Sequence, residues 1–309
     1  MAASEANDGL TKLPAFSPLM LRHLPQLLLW AALTTVTLLP THAQLIQATV
    51  LVIDARTSKP IPYASVGVCG KPLGTVANAT GTFPLSQVVA ALLDSVAISC
   101  VGYQPRKLLA RQLSLNVTLR LEPVATTLAE VIVHGRQPKV VVLGHRNASL
   151  FSSFGFYTQT DTVPHARLGR EMGVLLDVRH PTELQSFHVL TFGRDFQSVI
   201  FRLNLYAVKN STPQNTLLRH DIIFTVNGQQ RGWTEVDLRP YTIMLTGEQQ
   251  VVASIESLAN VPARHIGGFL SVPGHVSATH SLFMRDKSAQ GWHKLGLNPN
   301  MYFKGLAHP

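Results

Sequence analysis

Two letters of a metal-hydrolase pattern stand in the second half of the chain, where His180-Pro-Thr-Glu183 reads H-x-x-E. With a distant histidine such as His275, His280 or His293, that pair could complete three protein ligands of a catalytic zinc and leave a position for activated water. The surroundings argue otherwise. His180 and Glu183 fall at a proline-containing turn between two predicted strands, and the alternating helices and strands of a peptidase sheet are missing, so the pair reads as a solvated loop histidine and an exposed glutamate. The acids Glu171, Asp177, Asp195, Asp221, Glu235, Asp237, Glu248 and Glu256 are candidates for the paired carboxylates of a glycosidase. Glu235 and Asp237 share one strand face at i, i+2, but Asp237 starts a turn toward Pro240, where capping backbone amides is the simpler role. No H-E-x-x-H, G-x-S-x-G, phosphate-cradling glycine loop or C-x-x-C occurs. The residues therefore predict no catalytic, cofactor or metal site, and the chain reads as a non-enzyme.

Binding is the remaining class of function. Trp233, Tyr241 and Trp292 are the candidate ligand-binding residues, joined by Tyr302 and Phe303, because flat aromatic faces stack on sugar rings; burial in a core is the competing role. The net charge of +9 is unchanged when residues 1–43 are removed, and its cations are scattered singly. That pattern points to an anionic cell surface rather than to nucleic acid. Cys69 and Cys100 are the only cysteines. Inward Val66 and Val68 send Cys69 outward while Val96, Ile98 and Cys100 share a face, so two free thiols are expected. The Asn-x-Ser/Thr triplets at Asn78, Asn116, Asn147 and Asn210 read as turn composition.

The elements that would position these groups are strands. Between Gln44 and Leu121 run short β-branched pieces (ATVLVID, ASVGV, GTF, SVAISCV, NVTLRL) separated by turn residues, the pattern of an antiparallel sandwich. Only Gln87–Leu93 suggests a helical turn or two. Asp54–Pro60 is a polar loop closed by a proline, and Gly74, Asn78 and Gly81 fall where tight turns need tolerance of positive φ. From Gly169 onward about nine further strands at 8–12-residue spacing predict a second sandwich of jelly-roll type. Residues 136–168 between them read as a linker and edge segment.

Ahead of the strands, Met20–Ala43 has a basic start, an apolar run from Leu27 to Leu39 and small residues before Gln44, which is the layout of a secretory signal peptide cleaved after Ala43. Its apolar run of about 14 residues is shorter than the ~20 of a spanning helix, and no cysteine offers a lipid anchor. Residues 1–19 precede a second start codon position at Met20 and carry no structural period.

The string VIDARTSKPIPYASV…GTVANATGTFPL…DSVAISCVGYQPRKLL…LRLEP resembles the carboxypeptidase-like regulatory domain of Gram-negative envelope proteins. The resemblance rests on Asp54, Thr57, Pro60, Ile61, Pro62, Ala64, Gly74, Thr75, Asn78, Gly81, Phe83, Ile98, Ser99, Gly102 and Tyr103. It implies a seven-stranded prealbumin-like sandwich in which these residues serve turns and core. Leu128–Gly135 resembles the segment before the plug of TonB-dependent receptors, but the roughly 175 residues that follow are too few for a receptor barrel. The stretches FRLNLYAV and GWTEVDLRPY and the region of Trp292 resemble a C-terminal sandwich paired with such domains. The expected chain is all-β: 1–43 extension and signal peptide, 44–135 regulatory domain, 136–168 linker and edge, 169–309 jelly-roll-like sandwich. Its expected role is an exported structural or interaction module in the periplasm, at the outer membrane or outside the cell, with no transmembrane span after cleavage. Cell-surface polysaccharide or envelope proteins are the partners it points to, and a carbohydrate- or peptide-binding accessory role is the alternative.

Overall fold

The computed structural model describes residues 48–88, 91–113, 117–124, 137–146, 152–157, 167–229, 231–246, 249–262, 268–278 and 282–308. The signal-like segment Met20–Ala43, the stretch Leu128–Gly135, Glu248, His280, Asn116 and Asn147 lie outside the described residues. Among the described residues no helix is long and apolar enough to cross a membrane.

Alternating valines, isoleucines and leucines in short runs give strands with one face to bury. The first seven are β1 (Thr49–Asp54), β2 (Ser65–Val68), β3 (Gly74–Val76), β4 (Thr82–Pro84), β5 (Ser95–Ser99), β6 (Arg106–Leu109) and β7 (Thr118–Leu121). They form a three-stranded sheet β4-β1-β7 and a four-stranded sheet β3-β2-β5-β6. Val50, Val52, Val66, Val68, Phe83, Val96, Ile98, Leu119 and Leu121 close on one core between them. The turns are held by side chains the sequence marks. Asp54 Oδ1 accepts from the amides of Arg56 (2.7 Å) and Thr57 (2.9 Å), and its Oδ2 accepts from the Tyr103 hydroxyl at 3.1 Å. The Thr57 amide, ahead of the other donors, holds the Asp54 carboxyl below its ordinary range. Asn78 Oδ1 accepts from the amides of Thr80 and Thr82, each at 3.0 Å. Gly74 has φ +149°, and a Cβ there would lie 2.2 Å from the Val66 carbonyl oxygen. The Gln87–Leu93 stretch contributes only the end of a 3₁₀ turn, Leu85–Gln87, within the described residues.

The second sandwich holds β8 (Lys139–Gly144), β9 (Ser152–Tyr157), β10 (Glu171–Val178), β11 (Thr182–Arg194), β12 (Phe196–Lys209), β13 (Thr212–Thr216), β14 (Ile222–Asn227), β15 (Arg231–Asp237), β16 (Met244–Leu245), β17 (Gln249–Pro262), β18 (Phe269–Val276), β19 (Leu282–Arg285), β20 (His293–Leu295), β21 (Leu297–Pro299) and β22 (Met301–Ala307). One sheet runs β13-β12-β17-β10-β19-β20 with β14 on β12. The other runs β21-β18-β11-β22-β8 with β15 and β16 on β11 and β9 on β18. Phe156, Phe187, Phe201, Phe224 and Phe303 pack in its core. The all-β, two-sandwich architecture expected from the alternation is the one the structure has.

Residues 136–168 read as a linker and edge segment, and β8 within them is the last strand of its sheet; β9 and β22 were not read from the sequence. The 136–168 segment supplies β8 and β9, both strands of the second sandwich, and β22 lies in the middle of its sheet between β11 and β8. MYFKGLA does alternate buried and less buried positions, but Gly305 interrupts its apolar pattern. That glycine is needed because a Cβ would meet Thr182 Cγ2 at 2.7 Å and the Glu183 oxygen at 2.9 Å.

The two sandwiches belong to one compact unit, residues 47–309. Val76 of β3 packs with Leu168 and Leu258, flanked by Tyr63 and Ile200. Gly67 of β2 lies so close to the C-terminal sandwich that an added Cβ would sit 2.7 Å from Ala289 N and 2.8 Å from Ala289 Cβ, and Gly70 N donates to the Ala289 carbonyl at 3.1 Å.

Candidate functional site

Strand register assembles a row of charges that the sequence scatters over more than a hundred positions. Arg202 of β12 is paired with Glu256 of β17, Glu256 with Glu171 of β10, and Glu171 with Arg285 of β19. The row faces the first sandwich and is almost dry: Glu171 is 0%, Arg202 2% and Glu256 3% exposed. A buried charge needs a partner and hydrogen bonds for its remaining polar atoms, and each here has both. Arg202 donates from Nε and Nη2 to the two oxygens of Asp221 (2.6 and 2.9 Å), from Nη1 to Glu256 Oε2 (3.0 Å) and to Ser65 Oγ (3.2 Å), and from Nη2 to the Tyr63 carbonyl (2.9 Å). Ser65 Oγ in turn donates to Glu256 Oε1 at 2.6 Å. Tyr63 and Ser65 belong to the first sandwich, so Arg202 joins the two.

Glu171 is equally committed. Its Oε1 accepts from Asn204 Nδ2 at 2.9 Å and from Ser254 Oγ, and its Oε2 accepts from Arg285 Nε at 2.8 Å. Arg285 also donates from Nη2 to the Tyr206 hydroxyl at 3.1 Å. Burial opposes the charge on both guanidiniums, but Glu256 beside Arg202 and Glu171 beside Arg285 outweigh it and hold them ionised well above the ordinary range. Burial lifts Glu256 above the usual carboxylate range, against the pull of Arg202 and with Glu171 adding to the rise. The two adjacent glutamates are a carboxylate pair that the fold brings together in a dry place, yet their oxygens are spent on protein donors. That arrangement fastens sheets; it does not offer an acid or a base to a substrate.

Beside this row opens a groove of about 920 Å³ between the sandwiches. Ser65, Ala97, Ser99 and Lys107 line it from the outer face of the four-stranded sheet, Gln214, Asn215 and Thr216 of β13 from the other side, and Arg202, Tyr206, Glu256 and Arg285 from the floor. Cys69 and Cys100 both border it as free thiols. Cys69 N donates to the Ser95 carbonyl while Ser65 pairs with Ser99, so the cysteines lie toward opposite ends of the β2–β5 ladder. Burial pushes the Cys100 thiol up to about 12, against the pull of Arg202, which makes it a poor nucleophile. Lys107 and Arg219 line the groove without an ion-pair partner among the described residues.

The residues singled out in the sequence are placed elsewhere. None of Trp233, Tyr241 and Trp292 lines the groove. Trp233 is 36% exposed on β15 and meets Tyr302 edge-on at 5.1 Å; Tyr241 packs against the main core. Trp292 carries the Arg285 guanidinium over its ring at 4.3 Å and lies edge-on to Tyr206 and Phe283. His180 is exposed at the β10–β11 turn, Glu183 is half-buried in β11, and His293 is exposed in β20. Among the described residues no three His, Cys, Asp or Glu side chains converge on a metal position. Asp237 takes the turn role, its Oδ1 accepting from the Arg239 amide at 3.1 Å.

A cluster that sequence reasoning missed lies on the outer face of the β11 sheet. Ser186 Oγ is 2.8 Å from His188 Nε2, and Glu235 Oε1 is 3.9 Å from the same nitrogen. A nucleophile relay needs the acid on the opposite ring nitrogen, where it orients the base. Both contacts on Nε2 make this a packed polar cluster, capped by Tyr302 stacked on the imidazole at 4.4 Å.

The family model described as CarboxypepD_reg-like domain matches residues 51–133. The chain carries a carboxypeptidase-regulatory-like domain. The match falls inside the 44–135 span, and the CarboxypepD_reg-like domain is a non-catalytic β module whose marked residues hold the turns described above. No curated protein matches the chain. Among solved structures, the cysteine protease and lectin-like domains of Cwp84, a surface layer associated protein of Clostridium difficile, align over 79% of this chain and 59% of that one, at 8% identity and a TM-score of 0.37. The structure of the infectious bursal disease virus Gx strain aligns over 80% and 61%, at 9% identity and a TM-score of 0.22. The chain thus spans about three fifths of each of these solved chains, and likenesses this weak carry no argument about function.

Proposed function

We propose that the protein is an exported, non-enzymatic interaction module that holds an extended, acidic segment of another envelope polypeptide in the groove between its two sandwiches. The observation that carries this reading is the distribution of charge in the groove. The floor guanidiniums are neutralised internally by Asp221, Glu256 and Glu171, which leaves Lys107 and Arg219 as the cations available to a ligand. A peptide is favoured over a polysaccharide because β6 and β13 are each the last strand of their sheets and both contribute residues to the groove wall. End strands carry backbone donors and acceptors that an added strand can use. Sugar binding draws instead on open aromatic faces, whereas of the groove's two tyrosines Tyr206 is engaged by Arg285 and Trp292 and Tyr103 packs against the first core with its hydroxyl on Asp54. Export is supported by the layout of Met20–Ala43.

The test is fluorescence anisotropy of labelled acidic and neutral peptides on the full-length secreted protein, at two salt concentrations. Binding of acidic peptides that weakens with salt, and is lost in Lys107→Glu/Arg219→Glu, supports the proposal. Binding that ignores the charge reversal, or purified envelope polysaccharide bound in place of peptide, overturns it.

A further inference from the structure

We propose that His145 and His275 form a binding site for a divalent transition-metal ion of the Cu²⁺ or Zn²⁺ class. The two residues are 130 positions apart, His275 within a strand and His145 just after one. His275 sits in β18, directly opposite Asn298 of β21. His145 follows β8, where Gly144 turns the chain at φ +103°; a Cβ at Gly144 would lie 2.5 Å from the Met301 oxygen, and His145 N donates to that same oxygen at 2.8 Å. This turn brings the His145 ring edge-to-face onto His275, with centroids 5.7 Å apart and planes at 83°.

The spacing suits a shared ion. With Zn–N bonds of about 2.1 Å, two imidazoles on one tetrahedral ion have ring centres roughly 5 to 5.5 Å apart, close to the 5.7 Å between these two rings. The hydrogen bonding also leaves room for a ligand. His275 Nε2 lies 3.0 Å from the Asn298 side-chain amide, and its Nδ1 is buried with no hydrogen-bond partner. A buried ring nitrogen in that condition is costly unless something meets it. An ion on Nδ1 does so: the proton moves to Nε2, and a half-turn of the Asn298 amide presents Oδ1 to accept it, the outer support that metal-bound histidines use.

The choice of ion follows from the donor set. Two imidazoles with no carboxylate favour copper or zinc over magnesium or calcium, which want oxygen. Since no three potential ligands converge among the described residues, these supply two donors, and the other positions are left to solvent or to a ligand group. The site lies away from the groove, as neither His145 nor His275 lines it, and it does not rest on the peptide-binding proposal.

The experiment is titration of CuSO₄ and ZnSO₄ into tag-free, full-length secreted protein by calorimetry, with electron paramagnetic resonance of the Cu²⁺ complex. One ion per chain with two-nitrogen hyperfine splitting is expected, with Cu²⁺ tighter than Zn²⁺ and no response to Mg²⁺. His145→Gln and His275→Gln each weaken binding about tenfold or more, and Asn298→Asp strengthens it. Circular dichroism confirms that each variant is folded, and if either histidine variant fails that check, broadening of the His145 and His275 imidazole resonances by Cu²⁺ in the wild type decides instead. No binding by the wild type, one tight ion retained in both folded histidine variants, or unbroadened resonances overturn the proposal.

Discussion

Replacing Arg202 with methionine tests whether the charge row fastens the sandwiches. Methionine keeps most of the apolar stem, so the loss falls on the groups the guanidinium served. Asp221, with a side chain 23% exposed, can turn to water; Glu256, at 4%, cannot. Stranding one member of a buried ion pair costs about 3–5 kcal/mol. At about 2–4 °C per kcal/mol for a chain of this size, R202M lowers the melting midpoint by roughly 6–20 °C. Glu256→Gln in the R202M background removes the stranded charge and recovers most of the loss. A remainder of about 1–2 kcal/mol stays behind for the Ser65 hydroxyl and the Tyr63 carbonyl, whose bonds to the guanidinium are not replaced. The assay is guanidinium chloride unfolding of the four members of the double-mutant cycle, followed by far-ultraviolet circular dichroism. A loss below about 1 kcal/mol in R202M, or an E256Q change that adds to the loss rather than relieving it, refutes the assignment of Arg202 as the buried clasp.

Two further perturbations read other parts of the same interface. Gly67→Ala forces a methyl group onto Ala289, and the overpacking costs about 1–3 kcal/mol, read as a lower urea midpoint; an unchanged midpoint shows that the sandwiches are not in close contact there. Lys287 donates to the Leu168 carbonyl at 2.6 Å, and its ammonium is pushed down to about 8, chiefly by burial. Between about pH 8 and 10.5 the unfolded chain therefore holds a proton that the folded chain has shed, so stability from this group rises with pH in that window and is lost as pH falls through 8. Cys100, raised to about 12, acts in the opposite direction above pH 9. The readout is accordingly the wild-type melting midpoint minus that of Lys287→Met, which climbs between pH 8 and 10; a flat difference contradicts the burial of Lys287.

Much of the fold was legible because it depends on local chemistry. The aspartate, asparagine and glycine positions of the first sandwich act within a few residues of themselves, as Asp54 does on Arg56 and Thr57. Apolar, β-branched patterning located β10, β11, β12 and β17, even though Val251–Leu258 of β17 and Phe201–Leu205 of β12 are buried on both faces. It failed at β22, where Gly305 is kept small by the Glu183 oxygen 122 residues earlier, and at β9, which looks like a linker until β18 pairs with it.

The site was less legible, and particular residues show why. Glu171, Arg202, Glu256 and Arg285 each appear in sequence as one charge interrupting an apolar run, which is a signal that something buried must pair with it. It does not name the partner. Glu235 and Asp237, adjacent on one strand, attracted attention because their proximity is visible in one dimension, yet both point outward and Asp237 caps a turn. The sequence by itself determined the all-β class, the first module and its turns, and the scarcity of familiar catalytic patterns, since these depend on period, backbone conformation and residue type. Only the tertiary structure decided which charges neutralise one another, which groove cations have no ion-pair partner among the described residues and that His145 meets His275. Those outcomes depend on strand register and on the docking of two sandwiches, and contacts between residues far apart in the chain, such as Ser65 and Glu256, leave no trace in local periodicity.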